Sequence, residues 1–141
     1  MSWETLNLSE IPLEETAKPA PIPAGTYTLQ LMTAEPSKFR TGGINITTSV
    51  VDEGPYMGRR VFIDVPPIEE QAWAAQIVAR LFKALGVTPT PYSDPTVDLN
   101  RVAMNGHSRF IADVSIRNFT RNDGSAGSAN KVNHNSFRPA A

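Results

Sequence analysis

The chain has 141 residues, the size of one ordinary domain, and 40% of them are apolar, enough for a single core. Charged residues make up 19% and the net charge is −1, which separates it from highly charged disordered chains and does not advertise a nucleic-acid binder. It contains no cysteine, which excludes a disulfide framework, a thiol nucleophile and a cysteine-ligated metal.

Residues 1–23 read as an acidic, proline-rich arm preceding a domain over 24–141. Glu4, Glu10, Glu14 and Glu15 oppose Lys18 alone, so residues 1–20 carry −3 and the remainder +2. Pro12, Pro19, Pro21 and Pro23 favour an extended chain, and Trp3, Leu6 and Leu8 are candidates to tack it to a surface. MSWETLNLSE has neither the basic start nor the apolar run of a signal peptide. The most apolar stretch, AWAAQIVARLFKALG, is cut by Gln76, Arg80 and Lys83. The expectation is a cytoplasmic protein with no membrane partner.

The first strand is expected over residues 25–34, where Tyr27, Leu29 and Leu31 alternate with Thr26, Thr28 and Gln30. A second runs from about Gly43 to Val51, with Ile44, Ile46, Thr48 and Val50 on one face and Asn45, Thr47 and Ser49 on the other. DEGPYMGRRVF then reads as a hairpin. Pro55 fixes one backbone angle, and Gly54 and Gly58 permit conformations that other residues resist. It is too short for a phosphate-binding GxxxxGK[ST] loop and lacks the lysine. The third strand, 60–65, sets Val61, Ile63 and Val65 against Arg60, Phe62 and Asp64.

Pro66 and Pro67 end the sheet. A helix is predicted from about Glu69 to Leu85, with Trp73, Ile77, Leu81 and Leu85 as its buried stripe and Gly86 as its cap. After the proline-rich TPTPYSDPT, Asp94-Pro95 starts a short second helix through Met104, burying Leu99, Val102 and Ala103. The fourth strand, Ser108 to Phe119, turns Phe110, Ala112, Val114 and Ile116 to one side. TRNDGSAGSAN reads as a flexible loop, and a last strand as about Lys131 to Phe137. Tyr27, Trp73, Phe82 and Phe110 read as core. The fold class is therefore all-β with one main helix. Its order, β-β-β-α-β-β, is that of a five-stranded oligonucleotide/oligosaccharide-binding (OB) barrel with the helix between strands three and four.

The stretches GTYTLQLMTAE, INITTSVVDEGPYMGRRVF, LFKALGV, NGHSRFIADVSI and the terminal RPA, spanning about residue 24 to the end, resemble a family of tailed-phage single-stranded-DNA-binding proteins. The resemblance implies an OB barrel that coats single-stranded DNA among phage replication and recombination proteins, with no catalysis and no cofactor. The best-known single-strand binders carry an acidic recruiting tail at the C-terminus. SFRPAA has no acidic residue, so a tail-mediated partner contact is not expected.

Single-strand binding needs cations for phosphates and aromatic faces for bases. The loop between the first two strands offers Lys38, Phe39 and Arg40; the region around the fourth and fifth strands offers Arg117, Phe119, Arg121 and Lys131. Phe39 and Phe119 either stack on bases or fold back onto the barrel ends. Phe62 is either a stacking platform or a ring packed beneath the helix, and Arg59 and Arg60 accompany it as candidate phosphate contacts. Tyr56 stays undecided between turn and contact. The stripe of Asn45, Thr47 and Ser49 reads as solvated. His107 and His134 have no metal-site spacing. Asp52, Glu53, Asp64 and Asp113 are the carboxylates a nuclease would gather around a divalent cation, but no lysine follows Asp64 in the familiar nuclease pattern. The modest net charge implies few contacts per protomer, which a dimer or cooperative assembly on DNA would offset. The rival readings are a structural or assembly β-barrel of a phage particle and, behind it, a metal-dependent nuclease.

Overall fold

The computed structural model describes residues 3–5, 7, 9, 20–38, 40–106 and 108–140. Six strands form one antiparallel sheet: β1 (Gly25–Pro36), β2 (Ile44–Val50), β3 (Arg60–Val65), β4 (Arg109–Thr120), β5 (Ala126–Val132) and β6 (Arg138–Pro139). The helices α1 (Ala74–Leu85) and α2 (Pro95–Met104) both lie between β3 and β4 in the chain. The sheet order is β3-β2-β1-β4-β5, with β6 paired to β4. This is the expected all-β class with its main helix and short second helix, with two corrections: the described residues form six strands rather than five, and the sheet is open. β3 and β5, its two ends, come into contact without pairing. Among the described residues no helix is long and apolar enough to cross a membrane.

β1 holds the sheet together by serving two partners. Gly25–Gln30 pairs with β4 and Leu29–Pro36 pairs with β2. A bulge between Leu31 and Thr33 resets the alternation, so that Leu29, Leu31 and then Ala34 are buried while Met32 and Thr33 are exposed. Bulges bend strands in this way, and the bend lets one strand belong to both halves of the sheet. Past the bulge β4 no longer covers β1, and Asn100 of α2 takes over. Its side chain accepts from the Ala34 N–H and donates to the Ala34 carbonyl, both at 2.8 Å. α2 starts as expected, with Asp94 accepting from the Thr96 N–H and Pro95 in the first turn.

The period-2 reading of β2 and β3 holds. Ile46, Thr48, Val50, Val61, Ile63 and Val65 are buried, and Thr48 satisfies its hydroxyl by donating to the Val61 carbonyl at 2.7 Å. The connecting hairpin keeps Gly54 at φ 143° and Gly58 at φ 84°, the left-handed region where a side chain would be strained.

Three expectations fail. Helix α1 begins at Ala74 rather than near Glu69, because the chain leaving Pro66-Pro67 first makes a tight turn in which the Pro67 carbonyl accepts from Glu70 and Gln71. Its buried stripe is Ala74, Ile77, Leu81, Phe82 and Ala84. A strict four-residue series drifts off a 3.6-residue helix, so Trp73 falls outside the core and Leu85 sits half-buried at its margin. The supposed flexible loop contains β5, which starts at Ala126 and ends at Val132 rather than at Phe137. Its Ala, Gly, Ser and Asn residues have little strand preference, and pairing with β4 along Val114–Thr120 supplies the order. That hairpin reaches beyond the core, leaving Ile116 exposed although its parity matches Val114.

The core also takes in a residue from the expected arm. Ile22 is 1% exposed. Asn130 of β5 holds it like a strand partner, accepting from its N–H at 3.0 Å and donating to its carbonyl at 2.9 Å. Arg59, just before β3, donates to the Ala20 carbonyl. Residues 20–22 thus bridge from the start of β3 to β5, across the open seam.

Candidate nucleic-acid interface

The exposed face of β3 carries Arg60, Phe62 and Asp64, and their partners on β2 are Ser49, Thr47 and Asn45. Two clefts meet over this surface. One, of about 610 Å³, is lined by Glu35, Ser37, Lys38, Arg40, Asn45, Thr47, Phe62 and Asp64. The other, of about 510 Å³, adds the seam between β3 and β5: Arg40, Phe62 and Asp64 face Trp73, Arg117, Phe119, Lys131 and His134 across it. Arg40, Phe62 and Asp64 belong to both, so the clefts form one continuous groove.

Of the residues expected to bind DNA, Lys38, Arg40, Phe62, Arg117, Phe119 and Lys131 line this groove, although they come from one loop and three strands. Phe62 is 55% exposed and not packed beneath a helix. Arg60 lies on the same face at the end of β3, opposite Ser49, outside both clefts. Arg59 is engaged with the Ala20 carbonyl. Arg121 is engaged with the β4–β5 turn, donating to the Ala126 carbonyl at 2.6 Å. Phe39 lies outside the described residues, as does His107.

Phe119 has a structural duty as well. It pairs with Gly127 across the hairpin, and its ring so covers that glycine that an added Cβ would meet the ring at 2.6 Å. The Arg121 guanidinium carbon stands 5.6 Å from the ring centroid, a cation–π distance. The ring keeps 39% exposure and still contributes to the groove wall.

Among the groove residues that sequence reasoning missed, Trp73 and His134 carry rings. Trp73 is 48% exposed, and its Nε1 donates to the Gln71 Oε1 at 2.8 Å. His134 stands behind it, ring centroids 6.5 Å apart. Burial, and then the positive charge of Lys131, push the His134 pKa below its ordinary value, against a smaller opposing pull from Asp64. The signal for Trp73 was its place one residue ahead of the true helix stripe; nothing local marked His134.

The carboxylates a nuclease would need are dispersed. Asp52 accepts from the Thr28 N–H at 2.7 Å, and Asp113 accepts from the Thr26 hydroxyl at 2.8 Å and from Arg138 at 3.2 Å. Among the described residues no group of three or more His, Asp and Glu side chains is placed to hold a metal ion. No protein-family model and no curated protein sequence matches the chain.

Proposed function

We propose that this protein binds single-stranded DNA without chemistry and with little sequence preference, as a phage-type protein of replication or recombination. One observation carries the reading: the groove over β2 and β3 gathers Lys38, Arg40, Arg117 and Lys131 around the exposed rings of Phe62 and Phe119. Cations beside aromatic faces match a strand that alternates phosphates with unpaired bases. The groove's position supports the same reading. It lies between the β1–β2 loop and the β4–β5 hairpin, the two connections that flank the ligand face of OB folds. An OB-type barrel is the finer fold reading. Its supports are β1 shared between β2 and β4, helices between β3 and β4, and β3 touching β5 at a seam spanned by residues 20–22.

Fluorescence anisotropy of labelled oligo-dT and of a matched duplex tests it, at two salt concentrations with magnesium present and the DNA run on a gel afterwards. The expected result is intact DNA, preference for the single strand, and affinity that falls with salt. Absence of oligo-dT binding at low salt would overturn the reading in favour of an assembly role, and nicked DNA would favour a nuclease. Phe62→Ala is expected to weaken oligo-dT binding about tenfold, within the range of one stacked base at about 1–3 kcal/mol.

A further inference from the structure

We propose that Trp73 is a base-stacking platform, taking an unpaired nucleobase of the bound strand against the open face of its indole. This rests on the single-strand reading above and adds a residue, and an interaction, to it. Tryptophan normally gains by burying most of its large surface, yet nearly half of Trp73 is open to the groove. It is nevertheless fixed in place. Gln71 accepts its indole N–H at 2.8 Å. Behind it the His134 ring is 6.5 Å away, the Phe137 ring is 6.3 Å from His134, and Phe137 meets the fully buried Phe110 edge-on at 5.4 Å. A file of rings therefore runs from the core to the groove wall and ends on an exposed indole. A plate anchored in this way loses little conformational freedom when a ligand lies on it, which is what makes rigid aromatic anchors effective in binding sites.

The neighbours select the ligand. The same cleft holds Arg40, Arg117 and Lys131, so a ring bound on Trp73 has cations within the groove for the phosphates on either side of it. Phe62 lines the same cleft from β3, providing a second aromatic face for another base of the strand. Duplex bases are already stacked and paired, so only an unpaired base can use either face.

The chain has two tryptophans, so Trp3→Phe leaves Trp73 as the sole indole emitter. In that background oligo-dT is expected to quench Trp73 emission over the same concentration range as its anisotropy titration, and an abasic strand of equal length is expected not to. Adding Trp73→Ala should lower oligo-dT affinity about tenfold and leave abasic-strand affinity unchanged, while Trp73→Phe keeps most of the oligo-dT affinity. If oligo-dT binds by anisotropy but leaves the emission unchanged, or binds Trp73→Ala as tightly as its parent, the stacking role is refuted and the single-strand reading stands. If the parent does not bind oligo-dT at low salt, both fall. Should Trp73→Ala unfold, the quenching comparison still decides.

Discussion

Phe119 and Gly127 show how one pair serves both stability and surface. The glycine weakens its strand by itself, and the ring laid over it from β4 replaces the missing side-chain packing. Gly127→Ala puts a methyl where the ring stands, so the ring has to swing away. Cross-strand pairs contribute about 0.2–1 kcal/mol, and a loss of that size is expected in urea denaturation. In a Phe119→Ala background the same change should cost less, since only the end of the flexible Arg121 side chain, 3.0 Å from the added Cβ, is left to shift. Equal costs in both backgrounds would mean that the ring does not depend on the glycine. Asn100→Ala is expected to be costlier, about 1–3 kcal/mol, because it strips partners from both backbone groups of Ala34, a buried residue next to the β1 bulge.

At the scale of elements, the groove is built by the β4–β5 hairpin standing across from β3. The hairpin turn is fixed internally: the Asp123 side chain accepts from the Ser125 N–H at 2.9 Å, and Arg121 reaches the Ala126 carbonyl. This divides the arginines and lysines by task. Arg117 and Lys131 line the groove, whereas Arg59 and Arg121 spend their guanidinium groups on backbone carbonyls. Replacing Arg117 or Lys131 by Ala should reduce the log–log salt slope of oligo-dT binding by about 0.7 for each phosphate that is no longer neutralised. Replacing Arg59 or Arg121 by Ala should lower thermal stability and leave that slope unchanged; a slope change with unaltered melting would reverse the assignment. Much of this was legible in the sequence. Loops and exposed strand parity pointed to the groove residues, and Lys38, Arg40, Phe62, Arg117, Phe119 and Lys131 do converge. The partner of Arg59 was not legible, because Arg59 and Ala20 are distant in sequence and neither carries a local mark of the other.

At the scale of the whole molecule, Asp98, Asp113, Asp123 and His134 are, among the described residues, the groups whose lowered pKa values shape the response to acid. Asp98 is held below the usual carboxylate range first by the Thr90 N–H, with help from the Thr90 hydroxyl and Arg101. Asp113 is held down by the Thr26 hydroxyl and then by Arg138. Both contribute stability that is fully present above their unfolded pKa of 3.8 and lost as pH falls through the lower folded value. His134 acts in a different window. Its folded pKa lies below 6.5, so as pH drops through 6.5 the unfolded chain takes up a proton that the folded chain does not. Stability should therefore start to fall below neutrality, well before the carboxylates titrate. His134→Phe is expected to remove that early part of the decline and keep the late part, as measured by denaturant midpoints from about pH 7.5 to about pH 3. An unchanged profile on the acid side of neutrality would show that His134 titrates alike in both states.

The sequence by itself determined the local order: the alternation of β2 and β3, the glycine turn between them and the proline-started α2. These follow from period, turn chemistry and capping, which act within a few residues of one another. Only the tertiary structure decided the rest. Ile22 became core because Asn130, 108 residues away, offers it a backbone-like partner. The Gly-Ser-Ala-Asn run became a strand because β4 pairs with it. Trp73 became groove because a turn after Pro66-Pro67 delays the helix and a file of rings from Phe110 props the indole at the seam. Each of these depends on a meeting of two segments that lie far apart along the chain, and neither segment alone carries the information that they meet.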